Sequence, residues 1–375
     1  MRFLIERSNE PWRFPFSCCA ECRRTRIYNG EARSASSREL LLHFRDGSLP
    51  SRTRTLNNSV SRAIRFILVA DPVHSDTLII VNPASGGGRA LAAEALVASY
   101  LAAQSKSVQF VHSRSSENIR ELAANGAATG YRYVIALGGD GAFHHVVEGI
   151  RGTGAIAGFF PAGNGNDIAR DLGVPADAVS AAASFCHSVP RTVDLVRVQF
   201  PDGRTAHFIG AGGMGLDAEA AHLANTRFKT WPGVTRYLAG ALRTFFSEPA
   251  FELAAELDGT RWTGRAILAA VANSSSYGSG VRIAPDAKMD DGWFDVVLVA
   301  DVPWTRLVEA IPIVLTTGDL RFDEVKRFRC RRVVLRADRA VKVHGDGELL
   351  GESPAEFEIL PRAIRVMVPG FAYKR

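Results

Sequence analysis

Four short segments carry the residue types that phosphate chemistry needs. Asn82-Pro83-Ala84-Ser85-Gly86, Gly138-Gly139-Asp140-Gly141 and Gly163-Asn164-Gly165-Asn166-Asp167 each set glycine beside a side chain able to bond an oxygen. Glycine lets backbone N–H groups approach a polyphosphate, and a helix that starts directly after the loop adds its positive N-terminus. Asn82 and Ser85 can cap backbone groups or bind phosphate and ribose oxygens. The Asp140 carboxylate can organise the magnesium that travels with a nucleoside triphosphate, or hold phosphate-side water and donors. Further on, Asp346-Gly347-Glu348 places two carboxylates close together, as a base for an attacking hydroxyl would require. Each segment alone reads as well in a bland way. The first is also an ordinary capped helix start, the second a tight strand-to-helix turn and the last a solvated hairpin turn. Their combination favours phosphoryl transfer, which asks for alignment and charge neutralisation more than for covalent help.

The elements around the loops support that combination. Thr77–Val81, Val108–His112, Tyr131–Leu137 and Ile156–Phe160 read as buried strands, with helices expected from Arg89 to about Gln104, over Glu117–Asn125 and over Phe143–Ile150. Strand, loop and helix in repeated order give a parallel sheet with helices on its faces. The three glycine loops then fall at carboxyl ends of strands, where such sheets bind ligands. After about Arg191 the pattern changes to short alternating strands: Thr192–Phe200, His207–Ala211, Phe251–Leu257, Arg261–Val271, Trp293–Val299, Arg332–Ala337 and Ala340–His344. Helical pieces near Asp217–Asn225, Thr235–Phe246 and Trp304–Thr316 interrupt this mainly antiparallel second part. The expected division is an extension over 1–75, an α/β domain over 76–191 and a mainly antiparallel domain after it.

Charge separates the extension from the rest. The 375-residue chain has 45 Lys plus Arg against 39 Asp plus Glu, a net charge of +6. Residues 1–75 hold 13 Arg and 7 acids and so carry the whole excess, while the body balances 32 bases with 32 acids. A neutral body lacks the basic footprint of a nucleic-acid-binding surface. The leader reads as a basic arm touching anionic lipid, as a transit-like segment or as an extension without a stable fold. Charges interrupt its apolar runs, which excludes a good secretory signal, and five Glu between Glu6 and Glu39 count against a transit peptide. A poorly ordered extension is expected. No run reaches the roughly 18 apolar residues of a membrane span. Cys18, Cys19 and Cys22 lack a second ligand pair and read as free thiols in a reducing compartment, with Cys186 and Cys330 as packing residues.

Taken together, the motifs resemble the diacylglycerol kinase catalytic-domain family, which includes bacterial lipid kinases, sphingosine kinases and ceramide kinases. Asn82–Gly86 is similar to its N-P-x-S-G loop, Gly138–Ala142 to G-G-D-G-T, Gly163–Asp167 to G-T-x-N-D and Asp346–Glu348 to D-G-E. Ser276–Gly280 and Ile283–Gly292 look like its Y-G-G-G and I-A-P-x-A-x-x-x-D-G segments. The resemblance runs in order from Thr77 to Pro369. It implies a nucleotide-binding α/β domain over 76–191 completed by 358–375, a β-sandwich lipid domain of the NAD kinase/diacylglycerol kinase-like kind over 192–357, and an active site between them. ATP would be held by Asn82, Pro83, Ser85 and Gly86, by Gly138, Gly139, Asp140, Gly141, Ala142 and His144, by Asn164, and by Ser113 in place of a family threonine. Glu348 would be the general base, with Asp346 beside it and Asp140 also catalytic. Asp291, with backbone carbonyls near Lys288 and Trp293, would hold a structural magnesium ion. ATP and Mg²⁺ are the implied cofactors. The implied partners are a lipid substrate and a membrane surface approached peripherally from the cytoplasm, with a homodimer left open and no nucleic acid.

The sequence departs from the family pattern at Ala142, which lacks the threonine hydroxyl, at Asn164 for a second threonine, and at His144-His145 for an Asn-Glu pair. These put the nucleotide contacts in question more than the fold. NAD kinases also use G-G-D-G, so a nicotinamide nucleotide acceptor is the alternative, as is a catalytically weak lipid- or nucleotide-binding relative. Adjacent helical positions point apart, so the two histidines read as a polar helix start and not as a metal pair. Arg321–Lys342, with nine bases against three acids, reads equally as a headgroup contact or as a charged strand edge.

Overall fold

The structure is a computed structural model, and it describes residues 75–370 except 217–219, 221–222, 224–226, 229–230, 232 and 248. The leader with its three cysteines, and most of the helical piece expected near Asp217–Asn225, lie outside the described residues.

β1 (Thr77–Val81) is buried along its whole length, which its uninterrupted Leu-Ile-Ile-Val run requires of a strand covered on both faces. A 3-10 turn over Ser85–Gly87 leads into α1 (Arg89–Ala103), whose buried Ala90, Val97 and Leu101 share one face. β2 (Val108–His112) follows. Ser115 then caps α2 (Ser116–Ala128), its hydroxyl accepting the Asn118 N–H at 3.2 Å. β3 (Tyr133–Gly138), α3 (Asp140–Ile150) and β4 (Ile156–Pro161) complete the repeat. The four strands are parallel in the order β2-β1-β3-β4. Two short helices come next, α4 (Asp167–Asp171) and α5 (Ala178–Phe185), before β5 (Ser188–Gln199).

The second half is antiparallel. It contains β6 (Thr205–Phe208), β7 (Ala211–Gly215), α6 (Gly233–Ser247), β8 (Phe251–Leu257), β9 (Thr260–Ala272), β10 (Phe294–Ala300), α7 (Trp304–Thr316), β11 (Val325–Cys330), β12 (Arg332–Ala337), β13 (Lys342–Gly345), β14 (Glu348–Glu352) and β15 (Ala355–Pro369). Its main path is β14-β13-β7-β9-β8-β12-β15, with β10 paired to β9 and β11 paired to β10. β8 alternates buried and exposed residues through Phe-Glu-Leu-Ala-Ala-Glu-Leu, as a strand with one face on a core must. The basic Lys326, Arg327 and Arg329 sit on β11, whose only partner among the described strands is β10, so this part of the basic run is a charged sheet edge.

β5 and β15 join the halves. They pair antiparallel from Gln199↔Glu356 to Ser188↔Pro369. The expected boundary between residues 191 and 192 therefore falls inside β5. Its Val193 and Leu195 enter the α/β core, and its Val196 and Val198 enter the sandwich core. β15 divides in the same way, giving Phe357 and Ile359 to the sandwich and Ile364, Val366 and Val368 to the α/β core. Val366 also pairs in parallel with Ala157 on β4. Cys330 is buried in the sandwich core, where burial pushes its thiol up to about 12 and leaves it inert.

Candidate functional site

The carboxyl ends of β1, β3 and β4 open onto a cleft of about 540 Å³ whose other wall comes from the antiparallel half. Asn82, Ser85 and Gly86 line it from the first glycine loop, Gly139, Asp140 and Gly141 from the second, and Gly163, Asn164, Gly165 and Asp167 from the third. The loops touch one another. A Cβ on Gly163 would lie 2.5 Å from the Cα of Gly139, so only glycine fits there. Ser85 Oγ accepts the Gly139 N–H at 3.3 Å. Arg89, at the start of α1, donates to the Gly163 carbonyl and to Asn164 Oδ1, each at 2.6 Å. The asparagine thus fastens the first loop to the third with its carbonyl oxygen.

Asp140 lies where the three loops meet, at the first residue of α3. Its two oxygens accept the Asp167 and Ile168 N–H groups, at 3.2 and 3.1 Å, and so cap α4 from another element. Asp167 in turn accepts the Ser279 N–H at 2.7 Å and the Ser276 hydroxyl at 3.3 Å, both from the opposite wall. Burial, with Asp167 beside it, pushes the Asp140 carboxyl from 3.8 up to about 7. An acid whose folded pKa is raised loses stability as pH climbs from its unfolded value toward its folded one. Stability should therefore fall between about pH 4 and pH 7, and Asp140→Asn should remove that slope. The span corresponds to at most about 4 kcal/mol, less where the cleft admits water. Urea unfolding of both proteins across this range measures it, and parallel pH curves would refute it.

Glu348 and Asp346 arrive on a hairpin. β13 and β14 pair with Gly345 opposite Glu348, leaving Asp346-Gly347 as a two-residue loop with φ of +53° and +87°. Positive φ at both positions is the Asp-Gly signature of a hairpin turn whose twist matches its strands. Asp346 points inward. Its carboxylate, 1% exposed, accepts the Ile209 N–H at 2.9 Å and the Gly210 N–H at 2.8 Å, and its Oδ2 is 2.9 Å from His144 Nδ1. Glu348 is 42% exposed, and its Oε1 lies 3.2 Å from where a Cβ on Gly141 would be. The His145 imidazole, 3.8 Å from Oε1, holds the Glu348 carboxyl below the usual carboxylate range.

With this geometry in hand, the comparisons with known proteins are specific. Residues 76–198 match the diacylglycerol kinase catalytic domain, and residues 210–368 match the YegS C-terminal NAD kinase beta sandwich-like domain. A diacylglycerol kinase of Mycobacterium tuberculosis is 30% identical over 293 residues, covering 77% of this chain and 94% of that protein. The chain belongs to the diacylglycerol kinase family. A probable lipid kinase YegS-like of Pseudomonas savastanoi pv. phaseolicola is 30% identical over 259 residues, covering 67% of this chain and 80% of that protein. The crystal structure of a putative diacylglycerol kinase from Bacillus anthracis superposes with a TM-score of 0.65 at 22% identity, over 79% of this chain and 98% of that one, and so shares the fold.

Several residues expected at the site of this family member stand elsewhere. The Ser113 hydroxyl donates to the Val81 carbonyl at 3.2 Å, and the residue is buried at the end of β2 away from the cleft lining. His144 is buried against Asp346 and does not line the cleft, so its expected contact with nucleotide is corrected to a bond within the protein. Ala142 is buried in the α/β core beneath the loop, where its methyl group packs. Pro83 and Gly138 shape the loops from behind without lining the cleft, the Gly138 carbonyl accepting the Ala162 N–H at 2.6 Å. Asp346, expected beside Glu348, does line the cleft. Its oxygens are engaged by the Ile209 and Gly210 N–H groups and by His144, so it also anchors the turn.

The expected metal site does not assemble. Asp291 Oδ1 accepts the Trp293 N–H at 3.1 Å, and Oδ2 is ion-paired with Arg329, whose guanidinium already neutralises it. Trp293 is covered by Arg331 at 4.3 Å. Among the described residues no group of three or more His, Cys, Asp or Glu side chains is placed to hold a metal ion. With one oxygen on the Trp293 N–H and the other on Arg329, the Asp291 carboxylate is not free to take a resident magnesium ion.

The cleft also holds residues that the motifs do not mark. Arg236 and Tyr237 of α6 line it, and Arg236 is near enough to Asp140 to feel its charge. An arginine in a helical run of mixed residues gives little signal. One clue in the sequence was that Arg89 directly follows three glycines at a helix start.

Proposed function

We propose that the protein is an ATP-dependent lipid kinase that transfers the γ-phosphate to a hydroxyl of a diacylglycerol- or sphingoid-like lipid. The observation that carries this reading is the position of Glu348, whose carboxylate stands over the N-terminus of α3 at Gly141. A base on one side of an incoming hydroxyl and a phosphate cradle on the other is the arrangement that direct transfer requires. The N-terminus of α3 and the glycine loops would receive the triphosphate, whose accompanying Mg²⁺ is part of the substrate. Arg236 and Arg89 would supply positive charge as the phosphoryl group moves. Glu348 would take the proton from the acceptor hydroxyl while the oxygen bonds to the γ-phosphorus and ADP departs with the bridging oxygen.

About two turns along α6 from Tyr237, Thr244 and Phe245 line a separate cavity of about 160 Å³, where Leu216, Phe251 and Ile267 stand with the charged Arg339, Lys342 and Glu352. No helix among the described residues is long and apolar enough to cross a membrane, so contact with a lipid surface would be peripheral.

Purified protein incubated with labelled ATP and a panel of diacylglycerol, monoacylglycerol, sphingosine and NAD tests the reading. A phosphorylated lipid is expected. Label only on NAD, or on none of the panel with the fold intact, would overturn it.

A further inference from the structure

Glu348 shares its side of the cleft with an imidazole that the phosphate loops do not use. His145 follows His144 on α3, the two rings meeting edge to face with centroids 5.0 Å apart. His144 turns to Asp346, whereas His145 Nε2 is buried, has no hydrogen-bond partner among the described residues, and lies 3.8 Å from Glu348 Oε1. The imidazole is 16% exposed and the glutamate 42%, so the ring is the fixed member and the carboxylate the one that can move. A shift of about 0.8 Å would bring the pair to hydrogen-bond length.

The other charged groups around the ring are engaged elsewhere. On α3 itself, Glu148 lies 3.2 Å from His207 and 3.7 Å from Arg151. From α2, Glu117 is exposed at the helix start, where the Ser115 hydroxyl and its own backbone N–H hold its carboxyl below the usual range. From the β13–β14 turn, Asp346 is taken by His144, Ile209 and Gly210. Glu348, at 3.8 Å, is the carboxylate paired with His145, and the exposed Glu117 also feels the charge of the ring.

We infer that His145 is a positioning residue for the general base, holding the Glu348 carboxylate ionised and turned over the phosphate loop. The inference rests on the role proposed for Glu348. His145, with His144 behind it, favours the charged form of that carboxyl, which therefore stays ionised to lower pH than a free glutamate. The family motif has glutamate at this position, where a like charge would push Glu348 the other way. The histidine thus extends activity toward acid in this chain.

The test is the pH profile of kcat/KM for wild type, His145→Gln and His145→Glu, with ATP and with dioctanoylglycerol or sphingosine in mixed micelles. The midpoint of the acid limb should rise in the glutamine variant and rise further in the glutamate variant. The KM for ATP should stay within about twofold, since His145 does not line the phosphate loops. A purely structural role predicts lower rates with unmoved midpoints, and that outcome overturns the inference. Glu348→Gln separates the two levels. Full activity in that variant would remove the base itself, whereas lost activity with unmoved limbs in the His145 variants would remove only the positioning role. His145→Glu carries the family's own residue, which makes it the variant least at risk of misfolding.

Discussion

Glu348→Gln should lower kcat by about 10²-fold or more while leaving stability within about 0.5 kcal/mol of wild type. Glutamine keeps the shape of the side chain and its place over Gly141 but cannot take a proton. Among the described residues the partly exposed carboxylate pairs with His145 at 3.8 Å, beyond hydrogen-bond length, so its loss should not unsettle the fold. Phosphoryl transfer has a loose transition state in which the leaving group departs early and the attacking hydroxyl is still largely protonated. A base contributes modestly to such a reaction, so the loss should lie at the lower end of the 10²–10⁴ range found for general bases. The KM for ATP should be unchanged, because the triphosphate loops are intact. A variant within about twofold of the wild-type kcat would remove Glu348 from the chemistry.

Asp346→Ala should cost about 3–5 kcal/mol of stability, by the rule for leaving one partner of a buried charged network without the other. The aspartate accepts from Ile209 N–H and Gly210 N–H and faces His144, and alanine would leave all three buried without an acceptor. Alanine also tolerates the φ of +53° poorly. Asp346→Asn keeps the left-handed backbone and one acceptor oxygen and should cost less than the alanine change. Both should lower kcat, since this carboxylate helps the Asp346 N–H bond to the Ala211 carbonyl and the pairing of β13 with β7 to hold the turn that carries Glu348. Urea unfolding gives the order of stabilities. If alanine and asparagine were equally mild, the anchoring role would be wrong.

The two aspartates show what the sequence could and could not say. Glycine loops between strands and helices are legible because backbone geometry demands them locally, and the three that were read meet within one cleft. A carboxylate in such a loop has no local mark of its use. Asp140 reads as a magnesium or phosphate-side group, yet its oxygens cap α4. Asp346 reads as a partner in catalysis, yet it is bonded to a histidine 202 positions earlier. The same holds for Asp291, whose partner Arg329 belongs to an edge strand that looked like a run of charge. α4 was unreadable because five residues show no period, whereas α5 did carry a signal. Asp177 caps it by accepting the Ser180 N–H at 2.9 Å. The D-G-E segment was legible under both of its readings, since the Asp-Gly pair is a hairpin turn and Glu348 beside it faces the cleft.

β15 has a consequence for how the chain is made. The strand beside β4 is supplied from the far end of the protein, more than half the chain away. As the polypeptide leaves the ribosome, the α/β half emerges first but cannot finish its sheet, and the sandwich lacks the strand that carries Phe357 and Ile359. Both cores wait for the same fifteen residues, Ala355–Pro369. Domains usually fold in order of synthesis, and here that order is suspended, with the side of β4 that β15 occupies left open until that strand has been made. The two halves are therefore not separable modules. A fragment ending before Ala355 would leave neither core closed.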